Sequence, residues 1–313
     1  MKTITRSHLW QLLTLLLLVL APAVCQGEIR IGVIMSGDIP YYSAMHETFV
    51  NELRSRLPAG EKVEFILQRP FPDPIAWSNA ARKLIAVEVD LIVTYGAPAA
   101  LAVVQENSPV PVVYAGVYDP EHAGVKGKKV TGCGFKVPLS SLLRYFKRLK
   151  AVDPLTVVFS GIEEDSIRQK DELLALAAEQ QVRFQPVDIR SIGDLEQLRA
   201  LQGNETVFIT GSALAHVLLK DILPILHQKK VPVGSMFPDP EVAGVLIALF
   251  QPPGPQGKTA AAMAARILHG EEPGRIAPEV LRATELVFNQ LEAQQIGITF
   301  PIQLIVEATR VIK

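Results

Sequence analysis

The chain is 313 residues long, with 49% hydrophobic residues, 20% charged residues and a formal net charge of -1 at pH 7. This length and apolar content are enough for two domains with full cores, which excludes a chain that is disordered over most of its length. Positive and negative side chains are interspersed, whereas a nucleic-acid-binding surface needs clustered Lys and Arg. The composition therefore argues against nucleic acid as a partner.

The N-terminal segment, residues 1–23, is predicted to be a secretory signal peptide. Lys2 and Arg6 supply a positive start, residues 12–20 an apolar centre, and the Ala-Pro-Ala sequence at 21–23 a small-residue cleavage signal. The apolar run is shorter than the roughly 20 residues that a transmembrane helix needs. We therefore expect the mature chain to be exported to the periplasm.

The only two cysteines are Cys25 and Cys133. Cys25 closely follows the cleavage signal, so a lipoprotein anchored to the membrane through this thiol is the alternative to a free periplasmic protein. Two cysteines do not make a disulfide framework. A single Cys25–Cys133 bridge in an oxidising compartment remains open.

The mature chain alternates short apolar runs with segments of helical periodicity, the pattern of βαβ units in a parallel sheet. Crossovers between such strands are expected to be right-handed. In the first half the predicted strands are residues 28–35, 63–67, 91–93 and 110–113. The predicted helices cover 41–57, a face from Trp77 to Ile85, and a short apolar segment after Gly96.

A second set of the same elements follows a boundary near 135–138. Its predicted strands are residues 155–159, 182–187, 206–210 and 231–233, and its predicted helices are 139–149, 162–179, 192–201 and a segment from Ser212 to about Lys229. Surplus elements follow, namely a strand at 245–250, a loop with three prolines at 251–257 and a helix face from Ala260 to Leu268. Two similar halves with surplus elements indicate a chain that crosses back between two domains, and crossing strands make a hinge.

Ligands of parallel sheets bind in the crevice beyond the carboxyl ends of the strands, and the candidate binding residues are chosen on that basis. In the first half they are Ser36, Gly37, Tyr41, Tyr42, Thr94, Gly96, Ala97, Gly116, Tyr118 and Asp119. In the second half they are Ser160, Glu163, Asp165, Ser166, Thr210 and Ser212, with Phe237 and Asp239 near the hinge as lid and anchor.

Several of these residues have both a binding and a structural interpretation. Ser36 and Gly37 offer a hydroxyl and an N–H to a ligand carboxylate, or they make only the turn between a strand and a helix. Tyr41 and Tyr42 form an aromatic wall, or they pack over the first helix.

The acidic candidates have two interpretations as well. Tyr118 and Asp119 can pair with a ligand ammonium, but an Asp-Pro pair also starts turns. The acidic residues from Glu163 to Asp165 form a polar lip of the crevice, or they complement the dipole of a helix as its first turn.

The sequence predicts no enzyme, no metal site and no cofactor. The histidines do not fall at metal-ligand spacing, and no Gly-x-Ser-x-Gly elbow is present. The stretch from Gly254 to Thr259 resembles a phosphate loop, but its prolines remove the N–H donors that hold phosphate. Cys133 has no histidine tied to it by sequence, so a small buried thiol is favoured over a nucleophile.

The sequence resembles the substrate-binding proteins of ABC importers with the type I periplasmic-binding-protein fold, and within them the tryptophan- and tyrosine-binding components. The matching motifs are residues 90–100, 109–120, 123–124, 130–132, 231–235, 258–271, 288–289 and 296–297. Residues 251–257 and 235–239 depart from the amino-acid-binding relatives, so the ligand-facing groups of the 251–257 loop are not carried over.

The resemblance implies two doubly wound, Rossmann-like α/β lobes joined by a multi-strand hinge. The N-terminal lobe is expected to comprise residues 28–136 plus 243–276, and the C-terminal lobe 137–242 plus 277–313. The implied function is capture of a small molecule, an amino acid or aromatic metabolite, in the cleft between the lobes, and its delivery to the permease of an ABC importer. The alternative is a periplasmic sensor module that reports ligand to a membrane receptor.

Overall fold

The computed structural model describes residues 28–150, 152–237 and 244–313. The expected signal peptide, Cys25 and the candidate Asp239 lie outside the described residues. Within these ranges, none of the helices combines the length and the apolar character needed to span a membrane.

The first of two sheets contains six parallel strands and forms, with its helices, what we call the first lobe. Its strands are β1 (Ile29–Met35), β2 (Val63–Gln68), β3 (Leu91–Tyr95), β4 (Val112–Tyr118), β5 (Val130–Phe135) and β11 (Glu279–Leu281). They lie in the order β11-β5-β4-β3-β1-β2. Its helices are α1 (Pro40–Arg56), α2 (Pro74–Ala86), α3 (Ala97–Gln105) and α9 (Pro253–Leu268).

The helices of the first lobe cover both faces of its sheet, as apolar residues at helical spacing require. Tyr41, Met45 and Phe49 of α1 are buried in one core cluster. Trp77 and Leu84 of α2 are buried in another. Both faces are thus covered, which is why β3 and β4 are buried along their whole length.

The second sheet has seven strands and forms the second lobe. Its strands are β6 (Leu155–Phe159), β7 (Phe184–Asp188), β8 (Thr206–Ile209), β9 (Val233–Ser235), β10 (Ile247–Phe250), β12 (Glu285–Asn289) and β13 (Arg310–Ile312). Their order is β13-β12-β10-β9-β8-β6-β7, and all pairs are parallel except β10 with β12.

The helices of the second lobe are α4 (Leu139–Leu149), α5 (Glu164–Glu179), α6 (Glu196–Arg199), α7 (Ala213–Val217), α8 (Leu219–Gln228), α10 (Gln290–Gln295) and α11 (Ile302–Ile305). Short 3-10 helices cover Ile192–Leu195 and Pro273–Arg275. The predicted pair of doubly wound α/β lobes is therefore confirmed.

The chain passes between the lobes three times within the described residues. It leaves the first sheet after β5, returns after β10 into α9, and leaves again between β11 and β12. The first and third connections touch, since the Lys136 N–H donates to the Leu281 carbonyl at 3.2 Å. These three segments are the multi-strand hinge that the sequence predicts.

The structure differs from the prediction at the hinge. β10 pairs with β9 and β12 in the second sheet, and β11 pairs with β5 in the first, each opposite to the expected lobe boundaries. The boundaries otherwise stay a prediction. The expected loop at 251–257 is largely helical, because α9 begins at Pro253, where a missing N–H is tolerated in the first turn. Finally, β4 runs from Val112 to Tyr118, beyond the end of the strand predicted at 110–113.

The first lobe depends on a close approach between α9 and α1 at Gly257. A Cβ atom at this position would lie 2.4 Å from the Met45 carbonyl oxygen and 3.0 Å from the Thr48 Cβ. Both are parts of α1, so neither can move without shifting the helix. A side chain at 257 would therefore separate the two helices.

We expect Gly257→Ala to lower the free energy of unfolding by about 1–3 kcal/mol, because overpacking outweighs the better helix propensity of alanine. Chemical denaturation measures this change. Gly193→Ala is the control, since its new Cβ would meet only the Ser191 hydroxyl at 3.5 Å. Equal midpoints for the two variants would contradict the proposed close packing.

Candidate functional site

The candidate site lies where the carboxyl ends of the two sheets face each other. β1 and β3 end at Met35 and Tyr95 in the first lobe, and β6 and β8 end at Phe159 and Ile209 in the second. The lobes touch here, because a Cβ on Gly37 would lie 3.2 Å from the Ala213 Cβ. Residues at the strand ends of both lobes therefore meet at one interlobe interface.

On the first lobe, Ser36 is bonded within the protein. Its hydroxyl donates to the Tyr95 carbonyl at 2.8 Å and accepts from the Ala99 N–H at 3.1 Å, while its own carbonyl accepts from the Trp77 indole at 2.8 Å. Gly96, next to it, has φ +90°, and a Cβ there would lie 2.5 Å from both the Ser36 and Tyr42 hydroxyl oxygens. Ser36 and Gly96 therefore build the turn into α3.

An aromatic cluster joins the lobes. The Tyr41 ring stacks on Phe237 with 4.3 Å between centroids, and Tyr42 meets the same ring edge-on at 5.9 Å. His216 of α7 also contacts the Phe237 ring, with 4.8 Å between ring centroids. Tyr41 and Tyr42 come from α1, whereas Phe237 follows β9, so both lobes contribute rings to this cluster.

The Tyr41 hydroxyl is tied to the hinge. It donates to the Gln251 carbonyl at 2.9 Å and accepts from the Gln256 amide at 2.7 Å. The side-chain oxygen of Gln256 accepts in turn a hydrogen bond from the Gly116 N–H at 2.9 Å. Gly116 thus contributes a backbone donor to this network, at the point where the register between β4 and β5 shifts.

On the second lobe, Glu163 is buried and fully bonded. Its carboxylate accepts from the Ser212 hydroxyl at 2.5 Å and from the N–H groups of Ala213 and Leu214 at 2.7 and 3.0 Å. Burial raises the pKa of Glu163, and these donors act in the opposite direction. Glu163 and Ser212 therefore hold the start of α7 against the start of α5.

Asp165 is also buried, with 2% of its surface exposed, but its bonding is incomplete. Its Oδ1 atom has no hydrogen-bond partner among the residues that the structure describes. Burial, and then the charge of Glu163, raise the pKa of Asp165 to about 8, while the N–H groups of Asp165, Ala97 and Ser166 lower it. Ala97 begins α3, so the Asp165 carboxyl reaches the N-terminus of a helix in the other lobe.

Ser160, Ser166 and Thr210 of the second lobe form hydrogen bonds next to Asp165 in the sequence or across the sheet. The Ser166 hydroxyl accepts from the Ser160 N–H at 2.9 Å and shares a 2.7 Å hydrogen bond with Thr210. Gln169, one turn after Asp165, accepts from the Gly211 N–H at 2.7 Å. Its Nε2 atom has no partner within the described part of the chain.

Two candidates of the first lobe make other contacts. The Tyr118 hydroxyl donates to Glu172 of α5 at 2.6 Å, which links the two lobes. Asp119 lies 2.9 Å from the Lys136 ammonium and 2.8 Å from His122. Lys136 and His122 therefore pair with the Asp119 carboxylate within the protein, which argues against its pairing with a ligand ammonium. Thr94 is buried at the end of β3, and its hydroxyl has no partner among the described residues.

Sequence reasoning missed Gln169, His216 and Gln251. Gln169 stands four residues after Asp165, so the same face of α5 presents both side chains. His216 is related to Ser212 in the same way, and Gln251 directly follows the apolar strand β10. Their spacing from the predicted site residues was therefore visible in the sequence. A glutamine or histidine at such a position is equally compatible with exposure to solvent, so the spacing alone did not single them out.

Metal or thiol chemistry finds no support in this part of the molecule. No group of three or more His, Cys, Asp or Glu side chains in residues 28–150, 152–237 and 244–313 is arranged to hold a metal ion. Cys133 is buried, its thiol donates to the Gln256 carbonyl at 3.2 Å, and burial raises its pKa to about 12. A thiol held in this way is not a nucleophile at neutral pH.

His216 makes the site sensitive to acid. Its Nδ1 lies 2.8 Å from the Ser212 carbonyl and its Nε2 lies 3.0 Å from the Ser235 hydroxyl. Burial lowers the pKa of His216 from 6.5 to about 4, against the effect of the Ser212 carbonyl. The neutral ring is thus the form that the folded protein favours.

A depressed histidine pKa stabilises the fold fully above pH 6.5, and this contribution is lost as the pH falls toward 4. We therefore expect the melting temperature to fall less between pH 7 and pH 4.5 in His216→Gln than in the unchanged protein. Differential scanning calorimetry across this range measures the slope. His269→Gln is the control at an exposed position, and a slope that His216→Gln leaves unchanged would contradict the assignment.

Three solved structures show how far the fold is shared. A conserved domain protein from Vibrio cholerae is 22% identical, with a TM-score of 0.86 over 91% of this chain and 100% of that one. An ABC domain from Streptococcus pneumonia in complex with L-Trp is 20% identical, with a TM-score of 0.85 over the same shares. A ligand-free, open substrate-binding protein with adhesive properties from Clostridium difficile is 21% identical, with a TM-score of 0.63 over 91% and 99%.

No curated protein matches the chain. The family described as ABC transporter substrate binding protein matches residues 60–312, which is most of the chain and covers the hinge, the second lobe and the first lobe apart from β1 and α1. The two-lobed fold with its interlobe cleft is the architecture of the type I periplasmic binding proteins. The chain therefore belongs to the ABC transporter substrate-binding protein family, whose members bind small ligands.

Proposed function

We propose that the protein is exported, captures a small molecule in the cleft between its lobes, and presents the closed form to the permease of an ABC importer. The observation that carries this proposal is the pair of buried polar atoms, Asp165 Oδ1 and Gln169 Nε2, without a partner among the described residues. Buried polar groups are nearly always hydrogen-bonded in proteins. A few convergent polar groups beside an aromatic wall are what a small-molecule site needs.

Contacts between the lobes supply a mechanism for capture. Tyr118 of the first lobe donates to Glu172, and Arg168 of the second lobe donates to the His122 carbonyl, both at 2.6 Å. These bonds exist only when the lobes are together. A ligand that contacts both lobes shifts the population toward this closed form, which is the difference that a permease can recognise.

The solved relatives support the same interpretation. One is described with bound L-Trp and another as ligand-free and open, and this chain shares their fold. An amino acid or aromatic metabolite is accordingly one ligand class to test. We propose binding without chemical transformation, in keeping with the family and with the buried, protonated Cys133.

The proposal is tested by native mass spectrometry of the purified protein, followed by thermal-shift screening of amino acids, amines, organic acids and sugars. We expect at least one compound to raise the melting temperature and to reduce the radius of gyration in X-ray scattering. If no compound did either, the solute-binding proposal would fail.

Delivery to a permease needs its own measurement. Proteoliposomes that hold the permease and its ATPase are expected to hydrolyse ATP faster with the loaded protein than with the ligand-free protein. Tight binding with no stimulation by any candidate permease would contradict delivery and favour the sensor alternative.

We expect Tyr118→Phe to weaken ligand affinity by about 10-fold, because it removes a hydrogen bond to a charged group that forms only on closure. Isothermal titration with the ligand identified above measures the change. Tyr145→Phe is the matched control, since that hydroxyl contacts Arg144 at 3.3 Å and Glu307, both of the second lobe. If Tyr118→Phe and Tyr145→Phe bound the ligand equally tightly, the Tyr118 hydrogen bond would not contribute to closure.

A further inference from the structure

The helix N-termini at the cleft are the places where a ligand carboxylate would find backbone N–H donors. At α3 these donors are already used. The Ala97 N–H faces the Asp165 carboxyl, the Ala99 N–H donates to Ser36 at 3.1 Å, and the Ala100 N–H donates to the Gly96 carbonyl at 3.2 Å. Pro98, between them, has no N–H.

The helices of the second lobe are occupied in the same way. Glu163 accepts from both Ala213 and Leu214 at the start of α7, and Ser212 accepts from Ala215 at 3.0 Å. At the start of α5, the Asp165 carboxyl faces its own N–H and that of Ser166. At the starts of α3, α5 and α7, protein oxygens therefore hold the positions that a ligand anion would need.

The charges around Asp165 leave its carboxylate without a protein cation among the described residues. Glu163 adds a second negative charge from the same lobe, and Tyr42 faces both acids from the first lobe. Arg168 of α5 bonds through its Nη2 atom to the His122 carbonyl at 2.6 Å and to Glu164 at 3.3 Å, while its buried Nε atom has no partner among the described residues. The nearby His216 is neutral at pH 7 because of its lowered pKa.

We infer that the cleft selects a small molecule with a protonated amine and disfavours one whose only charge is a carboxylate, with Asp165 as the residue that determines this specificity. This inference rests on the proposed function and deepens it. The ammonium donates to Asp165 Oδ1, which has no partner in the described part of the chain. The adjoining rings of Tyr41, Tyr42 and Phe237 add a surface that favours a cation.

Binding of a cation beside Asp165 is expected to release a proton from its carboxyl group. With a pKa of about 8, the ligand-free Asp165 is mostly protonated at pH 7 in the closed form. A bound ammonium favours the carboxylate and lowers its pKa. Binding at pH 7 is therefore accompanied by release of a proton from Asp165, and this release diminishes as the pH rises above 8.

The test uses matched ligands on two skeletons: tryptamine, indole-3-propionate and tryptophol, and phenethylamine, 3-phenylpropanoate and 3-phenylpropanol. We expect the amine of at least one series to bind 10-fold or more tightly than its acid and its alcohol. Titration calorimetry in buffers of different ionisation enthalpy detects the released proton.

Asp165→Asn keeps the shape of the side chain and is expected to lower amine affinity by at least 10-fold and to abolish proton release, without a loss in melting temperature. Asp171→Asn, the same change at an exposed position of α5, is expected to alter affinity less than 2-fold. The melting temperature of each variant is measured as well, so that a loss of affinity can be distinguished from a loss of folding.

The outcomes separate the two proposals. If an acid or an alcohol bound more tightly than its amine, or if Asp165→Asn left amine affinity unchanged, the inference would be overturned while the solute-binding function stood. The same holds if only sugars or organic acids bound in the wider screen. If no small molecule of any class bound, both proposals would be wrong.

Discussion

Burial of two carboxyl groups between the lobes is the constraint on which the cleft depends. Glu163 and Asp165 are 1% and 2% exposed, and an isolated buried charge is strongly unfavourable. The protein offsets the cost of burying each carboxyl group in a different way. Glu163 receives three donors from Ser212 and the start of α7, whereas Asp165 depends on backbone N–H groups and on a raised pKa. Glu163 is therefore held by donors of the protein, whereas Asp165 Oδ1 has no partner in the part of the chain that the structure describes.

Closure and the hinge are physically connected through Tyr41. Its ring stacks on Phe237 in the cleft, and its hydroxyl binds Gln251 and Gln256 where the chain crosses between the lobes. Gln256 in turn holds Gly116 of β4 and the Cys133 thiol. The stack of Tyr41 on Phe237 crosses between the lobes, so a movement that separates these rings acts on the same residue whose hydroxyl is bonded at the hinge.

Much of the architecture was predictable because its signals are local. Apolar runs such as Leu155–Phe159 and helical stripes such as Leu139–Leu149 lie within a residue or two of their observed positions. The hinge was harder. Strands β10 and β11 have no local feature that assigns them to a sheet, and each lies in the sheet opposite to the predicted one. The prolines before α9 resembled a loop, although proline also fits the first turn of a helix.

By itself, the sequence determined two α/β lobes, a hinge, and a cleft at the strand ends, since periodicity and strand direction specify these without knowledge of distant contacts. The role of Asp165 and of the other site candidates as ligand contacts stays a prediction. Only the tertiary structure decided which polar groups there are already paired. Asp119 meets Lys136, Tyr118 meets Glu172 and Ser36 closes the turn at Gly96, while Asp165 keeps an oxygen unpaired within the described chain. Such pairing depends on segments that are far apart in the chain and approach one another only in the folded molecule.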